Sequence, residues 1–316
     1  MTQGSDTAVM TFGELPGVDL PAARIALGTV GLTAWETASE VLDAYAERGG
    51  NLVDTAWVYG DGESERLLGR WLAERGTRDR TIVLTKGAHT PECRPAAVGE
   101  QLDQSLERLG TDWVDVYLLH RDDPDVPVDE FVDAMEAERA AGRVRAYGFS
   151  NWSRERIQAA RDYADRKGYP PILLVSNNVS LAEMGEAPWP GCISSSTPEW
   201  RDWFAESGTV SLPWSSQAQG FFAPGRVESA RGDEDFQRAW MSEENLARLQ
   251  RVNELADKRS TSPVAVALAY VLNQPCPTFP VIGTRSAHHL DESMQALHVD
   301  LSPADMAWLA DGDLSR

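Results

Sequence analysis

Short apolar runs and amphipathic stretches alternate along almost the whole chain. The apolar runs, such as LVDTA and VDVYLLH, carry β-branched and large apolar residues between turn residues, which is typical of buried strands. The stretches between them place apolar residues three and four positions apart, as Val41, Leu42 and Tyr45 do, which predicts helices. The predicted strands are residues 24–30, 51–56, 81–86, 114–120, 144–150, 172–176, 209–215 and 278–282.

A helix is predicted after every one of these strands, and a last pair of helices closes the chain. The predicted helices are 37–48, one that opens at Ser64, 96–109, 128–141, 154–167, 200–206, 243–258 and 263–273. No linker or shift of composition divides the series. Eight such units predict a single α/β domain over residues 1–316, with the architecture of a (β/α)8 (TIM) barrel.

Two segments are longer than the connections expected in a barrel. They are 181–198, rich in Pro, Gly and Ser, and 217–240, and they follow the sixth and seventh strands. Long loops without secondary structure in a compact domain are usually binding loops or lids, and the alternative is a tolerated surface insertion.

The composition excludes several classes of partner. The 316 residues are 42% hydrophobic and 25% charged, which is ordinary for a globular protein, and the formal net charge is -20. Such a charge repels nucleic acid and anionic membrane surfaces. Cys93, Cys192 and Cys276 have no paired spacing, which predicts no disulfide framework and no metal site, and fits a reducing cytoplasm. No apolar run approaches the length of a membrane span.

Four polar side chains stand at the carboxyl ends of three consecutive predicted strands. They are Asp54 and Tyr59, Lys86, and His120. Barrel closure directs those ends toward one cavity. Each residue alone has an ordinary explanation, as a cap, a core aromatic, a snorkelling lysine or a core histidine. Together they predict a site, because a buried lysine requires a carboxylate partner and Asp54 supplies one.

This set of side chains suits proton transfer to a carbonyl or from an alcohol. A free phenol has a pKa near ~10, and a neighbouring ammonium such as Lys86 lowers the pKa of Tyr59 by favouring the phenolate. Asp54 would keep Lys86 charged and oriented. His120 would hydrogen-bond a substrate oxygen and place it beside Tyr59.

Three separated motifs resemble signatures of the aldo-keto reductase family. They are GGNLVDTAWVYGDGESERLLG at 49–69, LERLGTDWVDVYLLHRDDP at 106–124 and AAGRVRAYGFSN at 140–151. The resemblance implies an NAD(P)(H)-dependent oxidoreductase on a (β/α)8 barrel. In it, Asp54, Tyr59, Lys86 and His120 match the family tetrad, with Tyr59 as general acid.

The same resemblance implies a set of cofactor contacts. Ser150 and Asn151 match residues that hold the nicotinamide carboxamide, Trp214 matches an aromatic stacked on the ring, and 215–217 matches the start of the pyrophosphate loop. A third carboxamide contact falls on Ser176, Asn177 or Asn178, and the alignment places Ser176 there. The predicted cofactor-binding residues are Gly28, Thr29, Asp54, Ser150, Asn151, Ser176, Trp214, Ser215, Ser216, Gln217, Gly220, Gly283, Thr284, Arg285, His289, Glu292 and Ser293.

NADP(H) is predicted over NAD(H), because Arg285 in the turn before a helix offers paired donors to a 2′-phosphate. Two departures weaken that preference: Gly283 stands where some members have lysine, and Ser293 where asparagine is frequent.

The predicted activity is hydride transfer from NADPH to an aldehyde or ketone, either hydrophobic or sugar-like. Val30, Trp57, His89, Trp113 and Arg121 are predicted at the pocket rim, where the indoles also have a packing explanation. One alternative is a barrel that binds cofactor as a sensor or partner subunit, and another is nicotinamide-assisted sugar chemistry without net reduction. The intact tetrad favours an enzyme over a binding module. The oligomeric state does not follow from the sequence.

Overall fold

Ten short strands form a small hairpin and a parallel sheet in the computed structural model, which describes residues 9–312. The hairpin pairs β1 (Phe12–Gly13) with β2 (Ala22–Ala23), next to the start of the barrel strands, where Asn51 Oδ1 accepts from the backbone N–H of Ala23 at 2.8 Å. The parallel strands are β3 (Ala26–Gly28), β4 (Leu52–Asp54), β5 (Ile82–Gly87), β6 (Val114–Leu119), β7 (Val144–Phe149), β8 (Leu174–Val175), β9 (Val210–Ser211) and β10 (Val281–Gly283).

The parallel sheet closes on itself. Its strand order is β10, β3, β4, β5, β6, β7, β8, β9. The two ends meet through backbone hydrogen bonds from Phe279 N to the Ser211 carbonyl at 2.8 Å and from Val281 N to the Pro213 carbonyl at 2.9 Å. The predicted (β/α)8 barrel is therefore confirmed.

Helices surround the barrel. They are α1 (Trp35–Glu47), α2 (Glu63–Arg75), α3 (Pro95–Leu109), α4 (Val128–Ala140), α5 (Arg154–Lys167), α6 (Pro198–Glu206), α7 (Arg226–Ser229), α8 (Glu234–Trp240), α9 (Glu243–Arg259), α10 (Pro263–Leu272), α11 (Ala287–Met294) and α12 (Pro303–Asp311). Helix α5 has the predicted bounds because Ser153 caps its start, accepting from Arg156 N at 3.2 Å, and Gly168 ends it with φ of 71°. Within residues 9–312, no helix combines the length and the apolar character needed to span a bilayer.

The regular strands β8 and β9 are shorter than the predicted runs 172–176 and 209–215. Pro213 lacks the N–H that a longer β9 would need. Beyond β8 the chain leaves the barrel wall, because Asn178 pairs instead with Ser194 of the following loop.

The segment 217–240 is not structureless, contrary to the sequence prediction. It contains a 3-10 turn (Ala218–Gly220) and the helices α7 and α8. Phe221 and Phe236 are fully buried and stack with ring centroids 6.0 Å apart, so the segment has an apolar core of its own. The segment 181–198 has no helix until α6 begins at its end.

Candidate active site

The four predicted tetrad residues converge at the carboxyl ends of β4, β5 and β6. Asp54 ends β4, Lys86 lies near the end of β5, and His120 follows β6 directly. Tyr59 begins the 3-10 turn between β4 and α2. Parallel pairing aligns the strand ends in register, with Lys86 opposite Leu118, so the side chains share one end of the barrel.

Lys86 is the centre of the group. Its Nζ donates to Asp54 Oδ1 at 2.5 Å, to the Thr55 carbonyl at 3.0 Å and to the Tyr59 hydroxyl at 3.3 Å. Lys86 and Asp54 are only 1% and 3% exposed. Three acceptors satisfy all three ammonium protons, so this buried charge is both paired and fully hydrogen-bonded.

The pKa values of the ion pair follow from burial and charge. Burial penalises the ammonium of Lys86, yet the charges of Asp54 and Tyr59 outweigh that penalty and raise its pKa. Burial raises the pKa of Asp54 against the lowering effect of Lys86. Lys86 therefore stays charged well above neutral pH.

The hydroxyl of Tyr59 has a raised pKa in this structure, because burial outweighs the opposing charge of Lys86. The prediction from the sequence included only the lowering of this pKa by the ammonium of Lys86, and burial has the larger, opposite effect. The effect of Lys86 itself has the expected direction. Tyr59 is consequently a protonated phenol at neutral pH, which is the form that can donate a proton.

His120 is neutral and partly unsatisfied. Burial and the charges of Lys86 and Arg121 hold its pKa well below the ordinary value. Its ring meets those of Tyr59 and His89 edge-on, with centroids 5.7 and 4.8 Å away. His120 Nδ1 is enclosed and has no hydrogen-bond partner among residues 9–312.

An ion pair outside the tetrad anchors the loop that carries Tyr59. Arg108 Nη1 donates to the Trp57 carbonyl at 2.9 Å and to Glu65 Oε2 at 3.1 Å, and Glu65 is fully buried. Gly62 leaves room for the Arg108 side chain, since a Cβ at this position would stand 2.4 Å from Arg108 Cζ. Arg108 and Glu65 were not predicted from the sequence, because their ion pair joins two different helices, α2 and α3.

The residues predicted to hold a carboxamide lie beside the tetrad at the ends of β7 and β8, and Trp214 follows β9. Asn151 Nδ2 donates to the His120 carbonyl at 3.2 Å, and its Oδ1 accepts from Trp214 Nε1 at 3.1 Å. Ser150 Oγ donates to the Ser176 carbonyl at 2.7 Å. These contacts connect the nicotinamide side of the predicted site to His120.

The three candidates for the next carboxamide contact differ in what their side chains already bind. Asn177 Oδ1 accepts from Asn151 N at 2.6 Å, and its Nδ2 donates to the Trp152 carbonyl at 3.0 Å. Asn178 Nδ2 donates to the Trp214 carbonyl at 3.1 Å. Ser176 Oγ is buried and without a partner in the described part of the chain. Of the three side chains, only that of Ser176 makes no hydrogen bond to the described residues.

The turn after β9 has a strained backbone. Ser215, Ala218 and Gln219 have φ of 47°, 47° and 54°, in a region that non-glycine residues seldom adopt, and Gly220 follows with φ of 82°. Such strain is common where a backbone must fit a ligand. Ser216 Oγ donates to the Val281 carbonyl at 2.8 Å and fixes the turn to β10.

A cavity of about 410 Å³ opens between this turn and α11. Gln217 Nε2 donates to Ser293 Oγ at 2.9 Å across it. Its volume lies in the range of small-molecule sites. The lining includes six residues of the predicted cofactor set: Gln217, Gly220, Gly283, His289, Glu292 and Ser293.

Arg285 lies apart from this cavity. It is exposed at the entrance to α11, and a Cβ added at Gly31 would stand 3.2 Å from its Nη2, so it reaches toward the loop after β3. Thr284 is committed to its own turn, with Oγ1 donating to the Ser286 carbonyl at 2.9 Å. A Cβ at Gly283 would meet no atom within 4 Å, so the space that a lysine would fill is open.

Gly28 and Thr29, two predicted cofactor contacts, lie at the end of β3 and have structural contacts of their own. A Cβ at Gly28 would stand 2.9 Å from Val281 Cγ1, so close strand packing alone explains this glycine. Thr29 N donates to the Asp54 carbonyl at 2.9 Å, and its Oγ1 is enclosed with no partner among residues 9–312.

The predicted rim residues divide into three groups. Val30, 59% exposed, and His89, which touches His120, lie at the tetrad end of the barrel, as does Arg121. Trp57 Nε1 donates to Gln104 on α3 at 2.9 Å, so its contact is with that helix, and its place at the rim stays a prediction.

Trp113 is not at the rim, and this prediction is wrong. It precedes β6, whereas His120 follows it, so the six residues of β6 separate them by about 20 Å. Its ring packs between Arg78 and Arg145, with the guanidinium carbons 3.6 and 4.6 Å from the ring centroid. A tryptophan at the start of a strand was mistaken for one at its end.

The loop 189–193 is part of the site, and none of its residues was predicted individually from the sequence. Ile193 N donates to Asn151 Oδ1 at 3.1 Å. Trp189 is 46% exposed, with its ring centroid 6.0 Å from that of Trp214. The length of 181–198 was the available signal, and it predicted a binding loop without saying which residues touch the site.

Known proteins resemble the chain over nearly its whole length. A family model described as the aldo/keto reductase family matches residues 24–311. The chain is 26% identical to an uncharacterized oxidoreductase, YrpG, of Bacillus subtilis, over 96% of this chain and 95% of that protein. It is 27% identical to an aryl-alcohol dehydrogenase (NADP+) of Phanerodontia chrysosporium, over 94% of this chain and 84% of that protein.

A solved structure supports the architecture. A thermostable aldo-keto reductase in complex with the inhibitor epalrestat superposes with a TM-score of 0.74 at 22% identity, covering 95% of this chain and 99% of that chain. At this level of identity the likeness shows the fold.

Proposed function

The chain belongs to the aldo/keto reductase family and is an oxidoreductase, and on that premise we propose that it reduces an aldehyde or ketone with NADPH, using Tyr59 as general acid. The observation that carries the proposal is Lys86 Nζ, which bridges buried Asp54 and the Tyr59 hydroxyl. If Lys86 and Asp54 formed an ion pair with a structural role alone, the lysine would not need a phenol as a further hydrogen-bond partner.

The residues around the tetrad fit a nicotinamide cofactor. The unpartnered hydroxyl of Ser176, beside Ser150 and Asn151, matches the hydrogen-bonding needs of a carboxamide. Trp214 is held there by its bond to Asn151 and is only partly buried, so its ring would stack on the nicotinamide. When bound, the cofactor supplies the hydride.

The tetrad would supply the proton that the reduced carbonyl oxygen needs. Tyr59 is protonated at neutral pH and would donate to the carbonyl oxygen as charge develops on it. Lys86 would then stabilise the phenolate left behind, since its ammonium is 3.3 Å from that oxygen. Neutral His120 would hydrogen-bond the substrate oxygen, which would give its ring a polar partner.

The preference for NADP(H) over NAD(H) rests on three features. Arg285 is exposed at the start of α11, where a guanidinium and a helix N-terminus both favour a 2′-phosphate. His289 lines the cavity between the turn after β9 and α11. The aryl-alcohol dehydrogenase among the relatives carries NADP+ in its name.

A panel of aromatic aldehydes, aliphatic ketones and keto-sugars, assayed by loss of NADPH absorbance, tests the proposal. We expect turnover of at least one carbonyl class, with alcohol formed in equal amount to the NADPH consumed. Cofactor binding without turnover of any member would contradict the proposed activity and favour a binding role.

A further inference from the structure

Arg121 carries a buried charge that the tetrad does not use. Its side chain follows His120 in the chain and is 6% exposed. Nε donates to the Pro190 carbonyl at 3.3 Å and Nη1 to the His120 carbonyl at 2.9 Å. Within residues 9–312 both partners are neutral carbonyl groups. A buried cation in such surroundings retains much of its desolvation penalty.

The neighbouring acids are committed elsewhere. Asp122 Oδ1 accepts from Arg156 Nη2 at 2.7 Å, and Asp123 Oδ1 accepts from Asp125 N at 3.1 Å. Nη2 of Arg121 makes no hydrogen bond to the described residues, and it is not among the enclosed atoms that lack a partner, so it keeps accessible surface. Among the described residues, the free end of the guanidinium is therefore unpaired and not completely enclosed.

The Arg121 side chain adjoins the predicted tetrad. The His120 carbonyl that accepts from Arg121 also accepts from Asn151 Nδ2 at 3.2 Å. The charge of Arg121 lowers the pKa values of His89 and His120, and it contributes to the balance at Tyr59. The guanidinium therefore lies beside the tetrad, on the wall next to the loop 189–193.

The loop is shaped around the arginine. Gly191 has φ of 75°, and a Cβ there would stand 3.3 Å from Arg121 Cδ, so the backbone passes closely over the side chain. The exposed indole of Trp189 stands at the edge of the same loop. A ligand between this loop and the tetrad would meet an aromatic surface outside and a cation inside.

We propose that Arg121 binds a carboxylate on the substrate, so that the preferred substrates are oxo acids, that is, aldehydes or ketones that also carry a carboxylate. This proposal rests on the proposed function and names its substrate class. The guanidinium fork matches a planar carboxylate and would receive the counter-ion that the protein does not supply. The net charge of -20 does not oppose such a contact, because surface charges are screened over about 8 Å at physiological salt.

The competing explanation is that Arg121 only fixes the loop through Pro190. Two substrates of nearly equal shape separate the two roles: 4-formylbenzoate, which is anionic, and 4-formylbenzamide, which is neutral. We expect the parent enzyme to favour the benzoate in kcat/KM. In Arg121→Met that preference should fall roughly 10- to 150-fold, the range for a hydrogen bond to a charged group.

Arg161→Met is the matched control. Arg161 is partly buried and likewise donates to backbone carbonyls, those of Ile172 and Ser207, at the end of the barrel where β8 and β9 begin. Its replacement should leave the ratio between the two substrates unchanged. Arg121→Lys keeps the charge without the fork and should retain part of the preference.

Equal losses for both substrates in Arg121→Met would overturn the proposal and leave Arg121 as a support for the loop. A parent enzyme that reduces the amide as well as the benzoate would overturn it too, even if the Met variant failed to fold. Either result leaves the proposed reductase activity intact. That activity fails only if the parent reduces no carbonyl of the panel.

Discussion

The Tyr59 hydroxyl is the atom on which the proposed proton transfer depends, and Tyr59→Phe removes only that atom. The ring remains and can keep its edge contact with His120 at 5.7 Å. General acid catalysis contributes about 10²- to 10⁴-fold, which corresponds to about 3–5 kcal/mol of activation free energy. We expect kcat for carbonyl reduction to fall by such a factor.

The fold should change little in this variant. Lys86 Nζ keeps its bonds to Asp54 at 2.5 Å and to the Thr55 carbonyl at 3.0 Å, and loses only the longer one at 3.3 Å. A hydrogen bond to a charged group contributes about 1.5–3 kcal/mol to the free energy of unfolding, and the length of this one, 3.3 Å, places it at the low end of that range. The expected loss in activation free energy therefore exceeds the expected loss in the free energy of unfolding.

The assay compares turnover by NADPH absorbance, cofactor affinity by tryptophan fluorescence, and thermal unfolding by circular dichroism. Tyr117→Phe is the control, because its buried hydroxyl on β6 donates to the Val98 carbonyl at 3.1 Å. It should lose about as much stability while keeping its activity. Turnover in Tyr59→Phe within a few-fold of the parent would refute the general-acid role.

Two further predictions concern the partner of Tyr59 and the cofactor. Lys86→Met removes the charge that lowers the Tyr59 pKa, so that pKa should rise, and alcohol oxidation, which needs the phenolate, should lose its alkaline increase in the accessible pH range. An unchanged pH profile of oxidation would exclude this role of Lys86. The double variant Asp54→Asn, Lys86→Met is the folding control, because it removes the buried carboxylate that Lys86→Met alone would leave unpaired. Arg285→Ala should weaken NADPH binding by about 1.5–3 kcal/mol while NADH binding changes little. Fluorescence titration with both cofactors measures this. Equal losses for NADH and NADPH would mean that Arg285 does not contact the 2′-phosphate.

The sequence alone was sufficient for the barrel and for the place of the tetrad. Apolar runs of strand length alternating with amphipathic stretches permit few architectures, and in a parallel barrel every residue at a strand's carboxyl end faces the same mouth. Asp54, Lys86 and His120 could therefore be grouped from their positions on three strands, without any distance. Helix bounds with local signals, such as the cap at Ser153, were also predictable.

Tertiary structure decided the features that depend on contacts between distant segments. Burial of the Tyr59 hydroxyl sets the sign of its pKa shift, and the hydrogen bonds of Asn177 and Asn178 leave Ser176 uncommitted. Trp113 and Arg121 illustrate the same limit, since each side chain's surroundings come from elements far away in the chain. Side-chain type and spacing fix which groups can react, whereas desolvation and pairing depend on packing that only the folded chain defines.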